Sequence, residues 1–205
     1  IQGSAENLAD GALKDAEDAQ RFTDIILRNS QRLSLLIHDL LELSSLDSGT
    51  LQLDSQPVVL GPLTEAIASN FHSRCTERRV EMELKIDPSH TIQADPRAVE
   101  QILTNLVDNA IKYGGSPGRI LIRSQKIEDC IQVEVIDAGP GIAPSHRIRV
   151  FERFFRVDPG RARTAGGTGL GLSIVKHLVL SMGGKIWLEE AREGGSNFVF
   201  KLPQH

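Results

Sequence analysis

The sequence lacks the features that mark secreted, nucleic-acid-binding and membrane-spanning chains. Its two cysteines, Cys75 and Cys130, have no metal-type spacing; they exclude a disulfide framework and suit a reducing compartment. The formal net charge of −4 gives no basic surface for nucleic acid. A membrane-spanning helix needs about 20 consecutive apolar residues, and no apolar run in the sequence approaches that length, so we expect no membrane contact by this segment. The 205 residues, 40% hydrophobic and 24% charged, suit one globular domain and a smaller one.

The N-terminal part carries a helical hydrophobic repeat. Over residues 16–46, positions that recur on a seven-residue repeat are apolar except at Asn29, and they form a stripe along the predicted helix. Further apolar residues make this stripe wider than a coiled-coil seam. The apolar residues on the repeat are Phe22, Ile26, Leu33, Leu36, Leu40 and Leu43. The spacing within residues 1–12 predicts an earlier helix, joined to the second by a turn at 11–18. A stripe this wide is typical of a four-helix bundle. Because one hairpin supplies only two helices, we expect a homodimer.

The remaining residues alternate between strand and helix patterns. Pro96 suits the first turn of a helix, and Glu128 with Asp129 the turn of a hairpin. Residues 138–168 are predicted to be rich in loops. Strands are predicted at 51–60, 80–86, 91–95, 119–127, 130–137, 185–191 and 196–202, and helices at 63–75, 96–113 and 169–182. With a hinge at LDSGT, residues 46–50, the sequence predicts an α+β fold: a helical hairpin followed by a mixed domain.

A glycine-rich stretch, GGTGLGLSIVKHL at 166–178, leads directly into one of these predicted helices. Such loops often hold phosphate, because bare backbone N–H groups and the helix N-terminus point at the anion. The P-loop pattern is absent, and the G-x-G-x-G spacing of Gly167, Gly169 and Gly171 is not the dinucleotide-binding pattern. Taken alone, the stretch fits a phosphate loop, and a flexible turn before a helix is the alternative.

Three further motifs precede this loop. NLVDNAIKYG places Asn105 and Asn109 one turn apart on one helix face. DAGPGI at 137–142 is an aspartate at a strand end followed by a glycine turn, and FERFFRVD at 151–158 is rich in phenylalanine. Each alone has an ordinary explanation: surface amides, a turn former, or core aromatics. In this order, the four motifs resemble the N, G1, F and G2 boxes of the sensor histidine kinases, in particular those of the phosphate-sensor type.

The resemblance covers nearly the whole chain and implies two domains. Residues 1–50 would be the dimerisation and histidine-phosphotransfer hairpin, lacking the start of its first helix. Residues 51–205 would be the catalytic ATP-binding domain, an α/β sandwich of the Bergerat (GHKL) type, whose cofactors are ATP and Mg²⁺. The implied partners are a second copy of the chain and the receiver domain of a response regulator. The segment would be a cytoplasmic part of a larger bacterial sensor kinase anchored in the inner membrane.

The resemblance also implies roles for individual residues. Asp137 would accept the exocyclic amine proton of adenine, and Asn109 would hold Mg²⁺, which prefers oxygen ligands. The arginines Arg156, Arg161 and Arg163 would lie in the mobile lid and balance triphosphate charge. The other implied ATP-binding residues are Asn105, Lys112, Tyr113, Gly139, Gly141, Ile142, Phe154, Gly167, Thr168, Gly169, Leu170, Gly171 and Leu172.

The same ATP fold occurs in type II topoisomerases, mismatch-repair ATPases, a heat-shock chaperone and serine kinases. These relatives typically carry E-x-x-x-N, whose glutamate activates water or a serine hydroxyl. Here the first position is Asn105, and an amide is a poor general base at neutral pH. A neutral imidazole has a free lone pair and needs less help to attack a γ-phosphate. The sequence therefore favours histidine as the acceptor. A non-catalytic ATP-binding or dimerisation module is the alternative.

The acceptor histidine of the family lies in the string H-E-L-R-T-P-L, which does not occur in this chain. The start of the chain, IQGSAENL, resembles the residues that come after that string, so we expect the acceptor upstream of Ile1. The chain alone would then be unable to phosphorylate itself. Among its histidines, His38 is followed by an acidic residue, as in the family motif, but lies on the second helix of the hairpin.

Overall fold

A computed structural model describes residues 1–10, 15–47, 52–157, 168–192 and 194–205. It begins with two helices, α1 (Gln2–Ala9) and α2 (Ala16–Asp47), which contact each other. Helix α2 begins where it does because the Asp15 carboxylate accepts the free N–H groups of Glu17 and Asp18. Both predicted helices are confirmed. Part of the predicted turn at 11–18 and part of the hinge at 46–50 lie outside the described residues.

A mixed α/β part follows. Its elements are β1 (Gln56–Val59), α3 (Leu60–Arg78), β2 (Val80–Lys85), β3 (Thr91–Ala94), α4 (Pro96–Tyr113), β4 (Gly118–Ile127), β5 (Cys130–Asp137), α5 (Gly171–Ser181), β6 (Lys185–Glu190) and β7 (Ser196–Pro203), with 3₁₀ helices at Pro144–His146 and Arg149–Phe151. The main sheet has the order β2-β4-β5-β7-β6, in which only β2 and β4 are parallel. Strands β1 and β3 form a small antiparallel pair.

The core lies between one face of the main sheet and helices α3, α4 and α5. On the central strand β5, Ile131, Val133 and Val135 are apolar and buried, while the alternate residues Gln132 and Glu134 are polar, although Glu134 is itself buried. This period of two is what a sheet covered on one face requires. Each fully buried aliphatic side chain contributes about 1.5–3 kcal/mol. The predicted α+β fold with an α/β sandwich is confirmed.

Helix α4 is anchored at its start by Asp95. One carboxylate oxygen accepts the N–H groups of Arg97 (2.8 Å) and Ala98 (3.1 Å), and the other accepts that of Asp54 (2.9 Å). Burial alone would raise the pKa of Asp95, but these hydrogen bonds outweigh it, and the pKa lies below its ordinary value. The predicted bounds 96–113 are confirmed, because the N-cap, the following proline and the apolar spacing are all local signals.

Three predicted elements differ from the structure by two residues or more at one end or both. The strand predicted at 51–60 begins only at Gln56, and Leu60 already belongs to α3. Helix α3 extends beyond the predicted 63–75 in both directions, to an end at which Arg79 adopts a left-handed backbone (φ 53°). Helix α5 begins at Gly171 and not at Gly169, because Gly169 has φ +78°, which a right-handed helix does not allow.

The apolar stripe of α2 divides into two sets. Leu43 is buried within the single chain, at 2% exposure, and Leu36 is partly buried against the core of the mixed part. Leu33 and Leu40 are 51% and 57% exposed. The burial of Leu43 therefore needs no second copy of the chain, contrary to its expected place in a dimer interface. Within the described ranges, no helix is both long and apolar enough to cross a membrane.

Candidate functional site

Asp137 ends the central strand β5 and is almost completely buried, at 6% exposure. One of its carboxylate oxygens accepts the backbone N–H groups of Gly139 (2.8 Å) and Ser196 (3.2 Å). Burial raises the pKa of Asp137 above its ordinary value, and the hydrogen bonds from Gly139 and Ser196 offset this only in part. Among the described residues no cation pairs with this carboxylate, and since an unpaired buried carboxylate is costly, its position here points to a ligand-recognition role.

Glycine backbones crowd around this carboxylate. A Cβ on Gly139 would stand 2.6 Å from the carbonyl oxygen of Tyr113, and one on Gly195 would overlap the carbonyl group of Asp137. A Cβ on Gly114 would lie 3.0 Å from the Cβ of Asp137. The end of α4, the turn after β5 and the start of β7 therefore converge on Asp137 at distances that only glycine permits.

Asn105 and Asn109 lie on α4, on the path from the start of α5 to Asp137. The Asn105 amide donates to the carbonyl of Gln101 (3.1 Å), and a Cβ on Gly171 would stand 2.6 Å from its Oδ1. The N and G2 motifs are thus in direct contact. Asn109, one turn further along α4, is partly buried, and within the described residues its amide has no hydrogen-bond partner. Its oxygen is available to a ligand.

The loop before α5 is joined to the phenylalanine-rich motif. The carbonyl of Gly169 accepts the N–H of Phe154 (2.9 Å), and the Thr168 hydroxyl accepts the N–H of Leu170 (3.2 Å). Leu170 is 1% exposed and packs in the core. The Phe154 ring is 60% exposed on a left-handed backbone (φ 60°). The motif therefore contributes its backbone to the loop, and its ring faces solvent.

The remaining predicted site residues have varied surroundings. The ammonium of Lys112 pairs with Asp108, which also accepts from Arg74 (2.7 Å), so one carboxylate is shared by two cations and the group of three keeps a net positive charge. Tyr113 is 43% exposed at the end of α4. Gly141 has φ +70°, and Ile142, Arg156 and Leu172 are partly buried. Gly167, Arg161 and Arg163 lie outside the described residues.

Two residues beside Asp137 were missed by the sequence analysis. Gly195 directly precedes β7 and Ser196 begins it, and the Ser196 N–H is the second backbone donor to the carboxylate. The available signal was GGS at 194–196 immediately before a strand, but the same letters are typical of an ordinary hairpin turn. Only the antiparallel pairing of β5 with β7 brings them to Asp137.

The described residues contain no group of three or more His, Cys, Asp or Glu side chains able to hold a metal ion. Among the described residues, the Asn109 amide has no hydrogen-bond partner and is the oxygen that the resemblance assigns to Mg²⁺. Mg²⁺ is a hard ion that retains several waters and often takes only one or two protein oxygens besides substrate phosphates. The donor present here fits such an ion.

This geometry defines a class of protein. A mixed sheet covered by helices on one face, a buried aspartate at the end of its central strand and paired asparagines on the neighbouring helix are the features of the GHKL ATP-binding fold. Residues 94–205 match the family model described as histidine kinase-, DNA gyrase B- and HSP90-like ATPase, and residues 1–49 match the His Kinase A (phospho-acceptor) domain. The chain belongs to the sensor histidine kinases of two-component systems.

Individual relatives agree with this assignment. Sensor protein SrrB of Staphylococcus aureus (strain NCTC 8325 / PS 47) is 30% identical over 204 residues, which are all but one residue of this chain and 35% of SrrB. The chain therefore spans about a third of the length of this relative. Among solved structures, full-length ShkA in complex with AMPPNP superimposes with a TM-score of 0.78 at 32% identity, covering 92% of this chain and 39% of ShkA.

Two further structures extend the likeness over the hairpin. Histidine kinase AdeS of Acinetobacter baumannii matches with a TM-score of 0.80 at 26% identity, over 100% of this chain and 93% of the AdeS chain. Histidine kinase ThkA, solved in complex with the response regulator protein TrrA, matches with a TM-score of 0.75 at 28% identity. That match covers 93% of this chain and 53% of the other.

Proposed function

We propose that the chain is the phosphoryl-transfer core of a sensor kinase that uses Mg-ATP. Residues 51–205 bind the nucleotide, and residues 1–50 belong to the dimerisation and phosphotransfer hairpin. The γ-phosphate goes to a histidine that precedes Ile1 and then to an aspartate of a response-regulator receiver domain. The observation that carries the proposal is the buried Asp137 carboxylate, one oxygen of which accepts two backbone N–H groups. Glycine backbone surrounds this carboxylate.

Asp137 selects the base. Adenine presents an exocyclic amine, a hydrogen-bond donor, where guanine presents a carbonyl oxygen. An ionised Asp137 accepts from the amine but would face the oxygen of guanine as a second acceptor, with no proton between them. A Cβ on Gly139 or Gly141 would press on neighbouring backbone, so glycine at these positions lets the turn pack closely beside the carboxylate. The site residues implied by the resemblance are proposed as nucleotide contacts on this basis.

The phosphate end lies between α4 and α5. Asn109 offers an amide oxygen to Mg²⁺, and Asn105 holds the start of α5 against α4 through its contact with Gly171. The free N–H groups at the start of α5 face the same region and favour negative charge. When bound, Mg²⁺ offsets phosphate charge at the transferred group. The neighbour ShkA was solved with AMPPNP, an ATP analogue, which supports this assignment.

Histidine is the proposed acceptor, because the site offers no general base at the first position of its N motif. Asn105 cannot take a proton from water or a serine hydroxyl, whereas a neutral imidazole nitrogen attacks without prior deprotonation. The match of residues 1–49 to a phospho-acceptor domain supports the same assignment. The complex of ThkA with TrrA supports a response regulator as the next partner. Because the relative SrrB is much longer, we propose that the segment is the cytoplasmic part of a larger membrane-anchored sensor.

Nucleotide binding can be tested on residues 1–205 by calorimetry in the presence of Mg²⁺. We expect ADP to bind at least about tenfold more tightly than GDP, because a guanine carbonyl would leave the buried Asp137 carboxylate without its donor. Equal affinity for the two nucleotides would show that Asp137 does not read the base. Failure to bind either nucleotide would contradict the assignment of the site as a whole.

We also propose that α2 forms the homodimer interface through its exposed leucines. Leu33 and Leu40 are more than half exposed, and burying each would contribute about 1.5–3 kcal/mol. The double variant Leu33→Glu with Leu40→Glu should therefore be monomeric in light scattering. These two positions are preferable to Leu36, which is packed within the chain. The matched control is Val59→Glu with Ile148→Glu, two exposed apolar residues away from α2 that should leave the dimer intact. A dimer that survives in the leucine double variant would place the interface elsewhere.

A further inference from the structure

One face of α2 contacts the mixed part of the same chain. Leu36, Asp39 and Leu43 follow the spacing i, i+3, i+7 and share this face. Leu43 is 2% exposed and lines a cleft of about 400 Å³ together with Phe151, Ser173 and others. Leu36 is partly buried against the same core. We call Leu36, Asp39 and Leu43 the docking face.

The polar member of the docking face reaches the glycine loop. Thr168 Oγ1 donates to the carboxylate of Asp39 across 2.7 Å, linking residues that are 129 positions apart in the chain. The same hydroxyl accepts the N–H of Leu170. A threonine hydroxyl has a single proton to donate. While Asp39 accepts it, Thr168 has none to offer to a phosphate.

We propose that Asp39 takes the place of a nucleotide phosphate oxygen at Thr168, so that the Asp39–Thr168 contact and the binding of ATP exclude each other. This inference rests on the proposed function, which places the phosphates at the same loop. Two effects act in one direction. The nucleotide and Asp39 compete for one hydroxyl proton, and a carboxylate beside a triphosphate is repelled by its negative charge.

The consequence is a coupling between nucleotide binding and domain release. Without nucleotide, Leu43 and Asp39 hold the ATP-binding domain against α2. Binding of ATP displaces Asp39, after which only apolar contacts hold the ATP-binding domain against α2. Only molecules without the Asp39–Thr168 contact are competent to bind ATP. The apparent affinity for ATP is therefore the intrinsic affinity multiplied by the fraction of such molecules. Removing the Asp39 carboxylate should therefore strengthen ATP binding, although Asp39 itself would contact no nucleotide.

The test is Asp39→Ala in residues 1–205, with binding of Mg-AMPPNP and of adenosine measured by calorimetry. We expect Mg-AMPPNP to bind about three- to tenfold more tightly, the effect of one competing hydrogen bond, and adenosine, which has no phosphate, to bind unchanged. The matched control is Asp24→Ala, an exposed aspartate of the same helix that accepts a hydrogen bond from Gln20. It removes the same charge and should leave both affinities unchanged. Equal affinities in Asp39→Ala and the parent chain, or an equal gain in Asp24→Ala, would overturn the proposal.

Hydrogen exchange separates failure of this inference from failure of the proposed function. In nucleotide-free protein, Asp39→Ala should speed amide exchange in peptides covering residues 36–43 by several-fold, because the docking face is released. If the parent chain binds no nucleotide but Asp39→Ala speeds this exchange, the Asp39–Thr168 contact exists and the assigned ligand is wrong. Mg-AMPPNP could instead bind the parent chain while neither the nucleotide nor Asp39→Ala changes amide exchange in α2. That result would contradict the proposed role of the Asp39–Thr168 contact and would leave the assignment of the ATP site unaffected.

Discussion

Asp137→Asn is expected to weaken ADP binding by about ten- to hundredfold while leaving the ligand-free protein at least as stable as the parent chain. Affinity is lost because an amide nitrogen would replace a carboxylate oxygen opposite the adenine amine, and an unmatched polar contact in a buried pocket costs about 1–3 kcal/mol. Calorimetry with ADP and Mg²⁺ gives the affinity, and thermal unfolding without ligand gives the stability.

The stability part of this prediction rests on the direction of the pKa shift. The pKa of Asp137 is raised in the folded state, so ionised Asp137 destabilises the fold. This destabilisation is absent below the ordinary pKa of an aspartate and complete above the raised pKa, hence present at neutral pH. Asparagine removes the charge and keeps an oxygen for the N–H groups of Gly139 and Ser196. Asp129→Asn, in the exposed turn before β5, is the matched control. An Asp137→Asn protein that binds ADP like the parent chain would show that Asp137 is not the adenine acceptor.

Asn109→Ala should remove most of the magnesium-dependent part of ATP affinity, at least about tenfold, because it deletes the proposed oxygen ligand of Mg²⁺. Affinity for Mg-AMPPNP should fall toward the value that the parent chain shows in EDTA. Adenosine, which carries no phosphate and needs no metal, should bind unchanged.

The control for Asn109→Ala is Asn70→Ala, an exposed asparagine on α3, which should leave both affinities at the parent value. If Asn109→Ala loses affinity for adenosine as well, the asparagine acts on the shape of the pocket and not through the metal. Unchanged affinity for Mg-AMPPNP would remove Asn109 from the site.

The sequence predicted those parts of the fold that short-range signals specify. Helix α4 and strand β5 were predicted with the observed bounds, because a cap, a proline and a clear period act within a few residues. The start of α5 was predicted two residues too early, because the sequence alone does not show that Gly169 has a left-handed backbone and accepts a hydrogen bond from Phe154.

The candidate site was predicted as a set of motifs, but not as a geometry. Asn105 against Gly171 and Ser196 against Asp137 are contacts between elements far apart in the chain, and only the assembled sheet and helices bring them together. The sequence also did not separate the two roles of α2, which are packing within the chain and the proposed pairing with a second copy. Leu43 and Leu40 fall on one heptad stripe, yet the first is buried by the same chain and the second is exposed, because the position of the mixed part is a tertiary property.

The central claim, that this chain is the ATP-dependent part of a histidine kinase, is tested most directly by labelling with ATP that carries a radioactive γ-phosphate. Transfer needs the attacking nitrogen held in line with the γ-phosphate. A chain extended upstream through the family's H-E-L-R-T-P-L string should acquire an acid-labile, base-stable label and pass it to a response-regulator receiver domain, whereas residues 1–205 should remain unlabelled. A label on residues 1–205 that His38→Gln removes would contradict the placement of the acceptor, and an extended chain that binds ATP but takes no label would contradict the kinase assignment itself.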